Sequence, residues 1–165
     1  HYVGRTFIEP TQSIRSFGVK LKLNATQTLV KNKSIILVDD SLVRGTTSHK
    51  IVKMLYDAGA KEVHVRIACP EILYPDFYGV DMPTKNELLA CRKNNEEMCS
   101  YINATTLKFL SLKGLYKALG FEERSSTYPQ LCDHYFTGEY PIKPTDLLGE
   151  GKITQLSLLS GKSNN

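Results

Sequence analysis

The chain has 165 residues, of which 41% are hydrophobic and 23% charged, as is typical of one globular domain. Its formal net charge of +4 suits a small anionic ligand, but no dense Lys/Arg stripe with interleaved aromatics indicates nucleic-acid binding. No apolar run approaches the roughly 18 residues of a membrane span, and the amino terminus has no signal-peptide pattern. We therefore expect a cytoplasmic protein that binds neither nucleic acid nor membrane.

The four cysteines, Cys69, Cys91, Cys99 and Cys132, are widely spaced, and no pair has C-x-x-C spacing. Reduced thiols are the expected state in a cytoplasmic protein. A metal cluster assembled from distant cysteines is the alternative that this spacing leaves open.

In the first part of the chain, the spacing of apolar residues changes from a continuous run to a helical repeat. Residues 1–33 are polar and basic without a clean period, which predicts a short helix and a loop. The run SIILV at 34–38 is apolar and β-branched, which predicts a strand buried on both faces of a parallel sheet. From Thr46 the apolar residues recur at helical spacing until Gly59, a glycine typical of a helix end, and the hydroxyl residues at 46–48 are suitable N-caps.

Segment 62–69 alternates and is rich in β-branched residues, which predicts a second strand and hence a βαβ unit. Residues 70–83 contain three prolines and a glycine and are predicted to form a loop. Four further elements are predicted, namely helices at 84–92, 95–102 and 112–120 and a short strand at 106–111. The fold class is therefore α/β, with a parallel sheet flanked by helices.

Two adjacent acids, Asp39 and Asp40, follow the first strand directly, where ligands bind in open α/β sheets. The loop SLVRGTT at 41–47 then offers consecutive backbone N–H groups, hydroxyls and a helix N-terminus, and Gly45 allows close approach of an anion. Carboxylates beside a phosphate need ribose hydroxyls or Mg²⁺ as their partners. The pattern predicts a ribose-and-metal clamp beside a phosphate site. In the alternative interpretation, Asp39 caps the loop and Asp40 is solvated.

The segment IILVDDSLVRGTTS resembles the phosphoribosyl pyrophosphate (PRPP) loop of type I phosphoribosyltransferases. Three more segments, in the same order, are similar to the amidophosphoribosyltransferase family of purine synthesis, namely YVGRTFIEPTQSIRSFGVKLKLNA, PEILYPDFYGVDMPTKNELLA and FTGEYP. The resemblance implies that residues 1–145 are the carboxy-terminal portion of a type I phosphoribosyltransferase domain, incomplete at its amino terminus. Residues 146–165 are expected to be a polar, partly disordered tail.

The resemblance also implies an activity. In that family ammonia, taken from glutamine in the complete enzyme, displaces pyrophosphate from C1 of PRPP and gives phosphoribosylamine. Because the chain does not include the family's glutaminase domain, we expect it to be poorly active alone. Feedback inhibition by purine nucleotides and homo-oligomerisation of the complete enzyme are further implications. A non-catalytic module that senses PRPP or nucleotides and a salvage phosphoribosyltransferase that attaches a nucleobase are the alternatives.

Carried over by position, the resemblance implies roles for three groups of residues. Asp39 and Asp40 would hold Mg²⁺ and the ribose hydroxyls, and together with Arg5 they would form the catalytic set. The remaining PRPP-binding residues would be Ser41, Val43, Arg44, Gly45, Thr46 and Thr47, mainly through their backbone amides. A flexible loop that closes over PRPP would consist of Tyr2, Val3, Gly4, Arg5 and Thr6.

Some members of the family hold an iron–sulfur cluster, with one cysteine just before the FYG stretch and a C-x-x-C pair before FTG. In this chain the equivalent positions are Asp76, Cys132 and Tyr135. Because two of these three ligands are replaced, we expect Mg²⁺ as cofactor and no iron–sulfur cluster.

Overall fold

The computed structural model describes residues 27–80 and 84–142. The helices and strands follow in the order α1 (Gln27–Val30), β1 (Ser34–Asp39), α2 (Thr46–Asp57), β2 (Glu62–Ile67), α3 (Asn95–Tyr101), β3 (Thr106–Phe109), α4 (Leu112–Ala118) and α5 (His134–Thr137). Two short 3₁₀ turns, Lys85–Glu87 and Leu89–Cys91, lie between β2 and α3. The strands pair in parallel in the order β1–β2–β3, which confirms the predicted α/β class.

The core lies on one face of this sheet. Alternate residues of the central strand β2, namely Val63, Val65 and Ile67, are at most 3% exposed because successive side chains of a strand point to opposite faces. They belong to one apolar cluster with buried residues of α2 and α3. Both helices therefore pack on the same face, as expected when successive crossovers advance across a sheet in one direction.

The prediction that the first strand is buried on both faces is wrong for the described structure. Ile36 and Val38 of β1 are each 68% exposed, whereas Ile35 and Leu37 are partly buried against the core. The physical reason is that β1 is an edge strand and α2 and α3 cover only the other face. The apolar run identified the strand but could not show which face would be covered.

The termini of α2 differ in part from the prediction. Its N-cap is Gly45 rather than one of the hydroxyl residues, and no side chain caps this end. At the other end Ala58 is the C-cap, and Gly59 follows with φ of 93°, so the predicted role of a helix-ending glycine is confirmed. The N-terminal N–H groups of α2 are therefore not capped by a side chain.

The predicted helix at 84–92 is instead two 3₁₀ turns. Glu87 accepts hydrogen bonds from Thr84 and closes the first turn, and Leu88 then takes an extended conformation that places its side chain in the interior, 0% exposed. Burial of Leu88 thus interrupts a helix that the sequence pattern allowed. The predicted helix at 95–102 is found as α3, capped at its start by Asn94.

The remaining expectations for the described residues agree closely with the structure. The last strand is β3, and α4 precedes Gly120, which has φ of 87°. None of the helices within 27–80 and 84–142 is long and apolar enough to cross a membrane. The predictions for residues 1–26 and for the tail at 146–165 lie outside the described residues.

Candidate functional site

The two acids lie at the carboxyl end of β1. Asp39 is its last residue, and its carbonyl accepts a hydrogen bond from the N–H of Ala68 at 2.9 Å, so the ladder with β2 ends here. Asp39 is half-buried, whereas Asp40 is exposed. The N–H of Asp40 donates to Asp39 Oδ1 at 3.0 Å, and the Ser41 hydroxyl donates to Asp40 Oδ1 at 2.8 Å. The carboxylates therefore have different surroundings although they are adjacent.

The environment of this strand end is electrostatically unfavourable for further negative charge. Burial raises the pKa of Asp39; the N–H of Asp40 acts against this increase, and the Asp40 carboxylate adds to it. Cys69, just after β2, is close enough to be affected, since burial first and then both aspartates raise the pKa of its thiol to about 11. A cation or a hydrogen-bond donor bound beside Asp39 and Asp40 would therefore be stabilised, because it would offset their negative charge.

Packing and one backbone hydrogen bond fix the conformation of the loop between β1 and α2. Leu42 is buried, only 2% exposed, and the carbonyl of Val43 accepts a hydrogen bond from the N–H of Leu89 at 2.8 Å. Gly45 is buried with φ of 76°, and a Cβ at this position would lie 2.7 Å from Leu89 and 3.0 Å from Tyr101. Only glycine satisfies both the left-handed backbone and this contact.

At the helix N-terminus beside Gly45, several backbone N–H groups of the described structure are available to a ligand. The first hydrogen bond of α2 runs from His49 N–H to the Gly45 carbonyl at 2.9 Å. Within the described part of the chain, no acceptor is found for the backbone N–H groups from Ser41 to Ser48. Thr46 and Thr47 are exposed, so their hydroxyls lie beside these N–H groups at the surface. Such a group of amides at the positive end of a helix is suited to an anion.

Arg44 lies on the exposed side of the loop. Its guanidinium contacts Glu87 Oε1 at 3.3 Å, and the two side chains are 48% and 50% exposed. Arg44 thus pairs at the surface in the described structure, and its predicted contact with a phosphate stays a prediction. The predicted site residues Tyr2, Val3, Gly4, Arg5 and Thr6 lie outside the described residues.

Sequence reasoning missed three neighbours of the loop. Cys69 is not among the predicted site residues, although it follows the strand adjacent to β1 and its position after that strand indicates the same edge of the sheet. Leu89 and Tyr101 come from segments more than 40 residues beyond the loop, and no local pattern connects them with Gly45. They shape the loop through packing and one backbone hydrogen bond rather than through charge.

The three positions discussed for an iron–sulfur cluster lie near one another. His134 Nε2 lies 2.8 Å from Asp76 Oδ1, the Cys132 sulfur lies 3.3 Å from His134 Nδ1, and Tyr135 follows His134 directly in the chain. Among the described residues, no group of three or more His, Cys, Asp or Glu side chains is arranged to hold a metal ion. Cys69, Cys91 and Cys99 are free, partly buried thiols.

Comparison with known proteins finds relatives of high sequence identity. The chain is 55% identical over 161 residues to the amidophosphoribosyltransferase of Rhizobium etli, which covers 97% of this chain and 32% of that protein. The chain is a relative of the amidophosphoribosyltransferases. Amidophosphoribosyltransferase 2 of Arabidopsis thaliana, a chloroplastic protein, is 53% identical over 146 residues, 88% of this chain and 25% of its own length.

A solved structure shows the same relationship. Glutamine PRPP amidotransferase from B. subtilis, complexed with ADP and GMP, matches with a TM-score of 0.71 and 49% identity, over 87% of this chain and 31% of that one. The parallel sheet with its flanking helices thus matches the fold of the amidophosphoribosyltransferases, and the predicted resemblance is confirmed. The chain spans about a third or less of the length of these relatives. No protein-family profile matches the chain.

Proposed function

We propose that this chain supplies the PRPP-binding site of an amidophosphoribosyltransferase, in which ammonia displaces pyrophosphate at C1 and gives phosphoribosylamine. One observation carries the proposal. The acid pair at the end of β1 is followed, after four residues, by a buried glycine and a helix N-terminus whose first N–H groups have no acceptor in the described structure. A sugar phosphate has hydroxyls for the acids and an anion for the amides, so it satisfies both halves of the site.

The acid pair also fits the expected cofactor. Asp39 and Asp40 provide only oxygen ligands, and Mg²⁺ is commonly held by one or two carboxylates together with phosphate oxygens and water. When bound, Mg²⁺ would neutralise negative charge on the departing pyrophosphate. The strand-end position of both residues leaves room for such a ligand, since Asp40 is exposed and Asp39 only half-buried.

Protein groups would bind the 5′-phosphate, stabilise the charge on the ribose and exclude water. The amides of the loop and of the first turn of α2 would hold the 5′-phosphate and fix the ribose beside the acids. Positive charge builds up on the ribose as the bond at C1 breaks, and the Asp39 and Asp40 carboxylates would stabilise it. Tyr2 to Thr6 would close over PRPP, with Arg5 near the pyrophosphate, and exclude water that competes with ammonia. No covalent nucleophile is needed.

Calorimetry on the 165-residue chain tests the site. PRPP should bind in the presence of Mg²⁺, and the double variant Asp39→Asn/Asp40→Asn should bind at least about tenfold more weakly, since charge-assisted contacts are lost. Asp57→Asn is the matched control, because Asp57 is an exposed acid at the end of α2 away from the acid pair, and its ion pair in the described structure is with Lys53. Unchanged binding in the double variant would remove the acids from the site.

Activity is tested on the full-length enzyme because the chain covers only part of its relatives. Release of pyrophosphate with PRPP and ammonia, lost in the double variant, is the expected result. Binding without pyrophosphate release would favour the alternative of a non-catalytic sensor. Pyrophosphate release that requires a purine base instead of ammonia would favour a salvage phosphoribosyltransferase.

The same site suggests how purine nucleotides could act as inhibitors. A nucleoside monophosphate shares the ribose 5-phosphate of PRPP, so we propose that it competes for the amides of the loop. Displacement of PRPP by GMP in the calorimeter checks this.

We place the enzyme in the cytoplasm, where its four cysteines, all free of disulfides, would remain reduced. Homo-oligomerisation of the full-length enzyme stays a prediction that sedimentation measurements check.

A further inference from the structure

A second cluster of reactive side chains lies where α5 meets the loop after β2. The carbonyl of Tyr135 accepts hydrogen bonds from the N–H groups of Leu73 and Tyr74 at 2.9 and 3.1 Å, which joins the two segments. At this junction His134 is only 1% exposed. Its Nε2 lies 2.8 Å from Asp76 Oδ1, and its Nδ1 lies 3.3 Å from the sulfur of Cys132.

Asp76 determines which nitrogen of His134 carries a proton. Burial acts to raise the pKa of Asp76, but the N–H groups of Val80 and Tyr78, with help from His134 and Tyr135, outweigh it and lower the pKa below its usual value. An ionised carboxylate can only accept hydrogen bonds, so Nε2 of the imidazole must donate to it. In the neutral ring Nδ1 is then an acceptor, and it faces the Cys132 thiol.

Packing holds the imidazole in this orientation. The rings of Tyr135, Tyr140 and Tyr78 lie with their centroids 4.0, 5.1 and 5.2 Å from that of His134. The ring therefore cannot rotate to exchange its two nitrogens without displacing three aromatic neighbours. Cys132 itself is an exposed residue, whereas the imidazole beside it is buried and shielded from water.

Cys132 differs in this respect from the other cysteines. Cys69, Cys91 and Cys99 are partly buried, and each donates its S–H to a backbone carbonyl, those of Pro70, Leu73 and Ala104 respectively. A carbonyl cannot take up the proton of a thiol. The Cys132 thiol is directed at an imidazole nitrogen, which can.

We propose that Cys132, His134 and Asp76 form an activated-thiol site that reacts with low-molecular-weight disulfides of the glutathione class. The geometry is that of a nucleophile, a base within hydrogen-bond reach and an acid that orients the base. The role is independent of PRPP binding.

The reaction balances without any further reagent. The Cys132 thiol transfers its proton to His134 Nδ1, and the thiolate attacks one sulfur of the small disulfide. The disulfide's S–S bond breaks, a new S–S bond forms to Cys132, and the leaving thiolate takes up a proton from the imidazolium. Cys132 is thereby oxidised to a mixed disulfide, and the other half of the reagent is reduced to a thiol.

The pH dependence of this reaction depends on the groups that face His134. Asp76 and Tyr78 face it from the loop after β2, Cys132 and Tyr135 from its own segment, and Tyr140 from the residues after α5. Burial raises the pKa of Tyr135 to about 12, so this phenol is neutral at physiological pH. Asp76 is therefore the charge that stabilises an imidazolium here.

The experiment uses the 165-residue chain and two probes, an aromatic disulfide that releases a coloured thiolate and oxidised glutathione with mapping of the modified cysteine by mass spectrometry. At neutral pH, Cys132 in the native chain should react at least about tenfold faster than the same cysteine in the urea-unfolded chain. Cys132→Ser should abolish the fast phase. Cys91→Ser, which removes a thiol bonded to a carbonyl, is the matched control and should leave the fast phase intact.

Variants of His134 and Asp76 distinguish activation of the Cys132 thiol from its simple exposure to the probes. His134→Gln keeps an amide donor for Asp76 but removes the nitrogen that faces Cys132, so the fast phase should slow by about tenfold or more. Asp76→Asn removes the charge that stabilises the imidazolium, so the rate should rise only at higher pH than in the parent chain. This shift of the pH profile is not expected if Asp76 is merely structural.

Two results would overturn the proposal. One is that native and unfolded chains modify Cys132 at equal rates, a comparison that requires no variant and so survives any failure of His134→Gln to fold. The other is a folded His134→Gln chain, with unchanged circular dichroism, that reacts as fast as the parent.

Discussion

Arg44 and Glu87 form an ion pair, with the guanidinium 3.3 Å from Glu87 Oε1, that joins the candidate phosphate loop to a turn 43 residues later. The same turn is stabilised by hydrogen bonds from Thr84 to Glu87. Next to it, the N–H of Leu89 donates to the carbonyl of Val43. The loop conformation thus depends on a distant segment through one ion pair and one backbone hydrogen bond.

This relationship predicts different effects for the two partners. Both side chains are about half exposed, so solvent screens the pair, and Glu87→Gln should leave the free energy of unfolding nearly unchanged. Arg44→Ala should in addition weaken PRPP binding by about tenfold, because it removes a positive charge beside the phosphate. Urea denaturation and calorimetry measure the two quantities. Equal losses of affinity in both variants would mean that the ion pair, rather than the charge of Arg44, supports binding.

Gly45→Ala should damage both the fold and the site. The new Cβ would lie 2.7 Å from Leu89, and the backbone would stay at φ of 76°, so we expect the free energy of unfolding to fall by about 2 kcal/mol. PRPP binding should be lost because the loop must shift. Gly120→Ala is the matched control, since its φ is 87° but no atom lies within 4 Å of the new Cβ. It should cost about 1 kcal/mol and leave PRPP binding unchanged.

Asp39→Asn should stabilise the protein while it impairs the site. Burial raises the pKa of Asp39 above the value of 3.8 for an unperturbed aspartate, so the ionised side chain is less favourable in the folded state than in the unfolded one. At neutral pH the uncharged amide therefore increases the free energy of unfolding. This gain should shrink as the pH falls through the pKa of Asp39, where the parent side chain is also neutral. Denaturation of both chains at several pH values measures it, and a gain that persists at low pH would contradict this explanation.

The segment after α4 should be sensitive to acid through Asp133. This residue is 2% exposed and accepts hydrogen bonds from Tyr116 and Arg124 at 2.8 and 2.5 Å. Burial acts to raise its pKa, but Arg124 and Tyr116 outweigh this and lower the pKa. The stabilisation is therefore present above pH 3.8, the unperturbed value, and is lost as the pH falls through the lower folded pKa.

Removal of single partners tests this network. Arg124→Ala should lower the free energy of unfolding by about 3 kcal/mol, because it leaves a buried carboxylate without its cation. Tyr116→Phe should cost only about 1 kcal/mol, since Arg124 still neutralises the charge. Thermal denaturation at neutral pH compares the two variants. If Tyr116→Phe proved the more damaging, the hydroxyl rather than the ion pair would dominate.

Some of this protein could be predicted because the signal is local. The apolar run, the helical spacing after it and the alternating segment that follows located β1, α2 and β2, and the acid pair with Gly45 marked the end of a strand as a candidate site. The helix predicted at 84–92 failed because burial of Leu88, 0% exposed, breaks it into two turns. That burial depends on neighbours that the local pattern does not contain.

The sequence by itself determined the α/β class and the position of the acid pair at the end of a strand, since each depends on residues within about one turn or one strand of each other. Tertiary structure alone decided that Leu89 packs against Gly45, that one face of β1 is exposed in the described structure, and that His134 contacts both Cys132 and Asp76. His134 and Asp76 are 58 residues apart. Contacts of that range arise from how elements pack, and packing is a property of the folded chain as a whole.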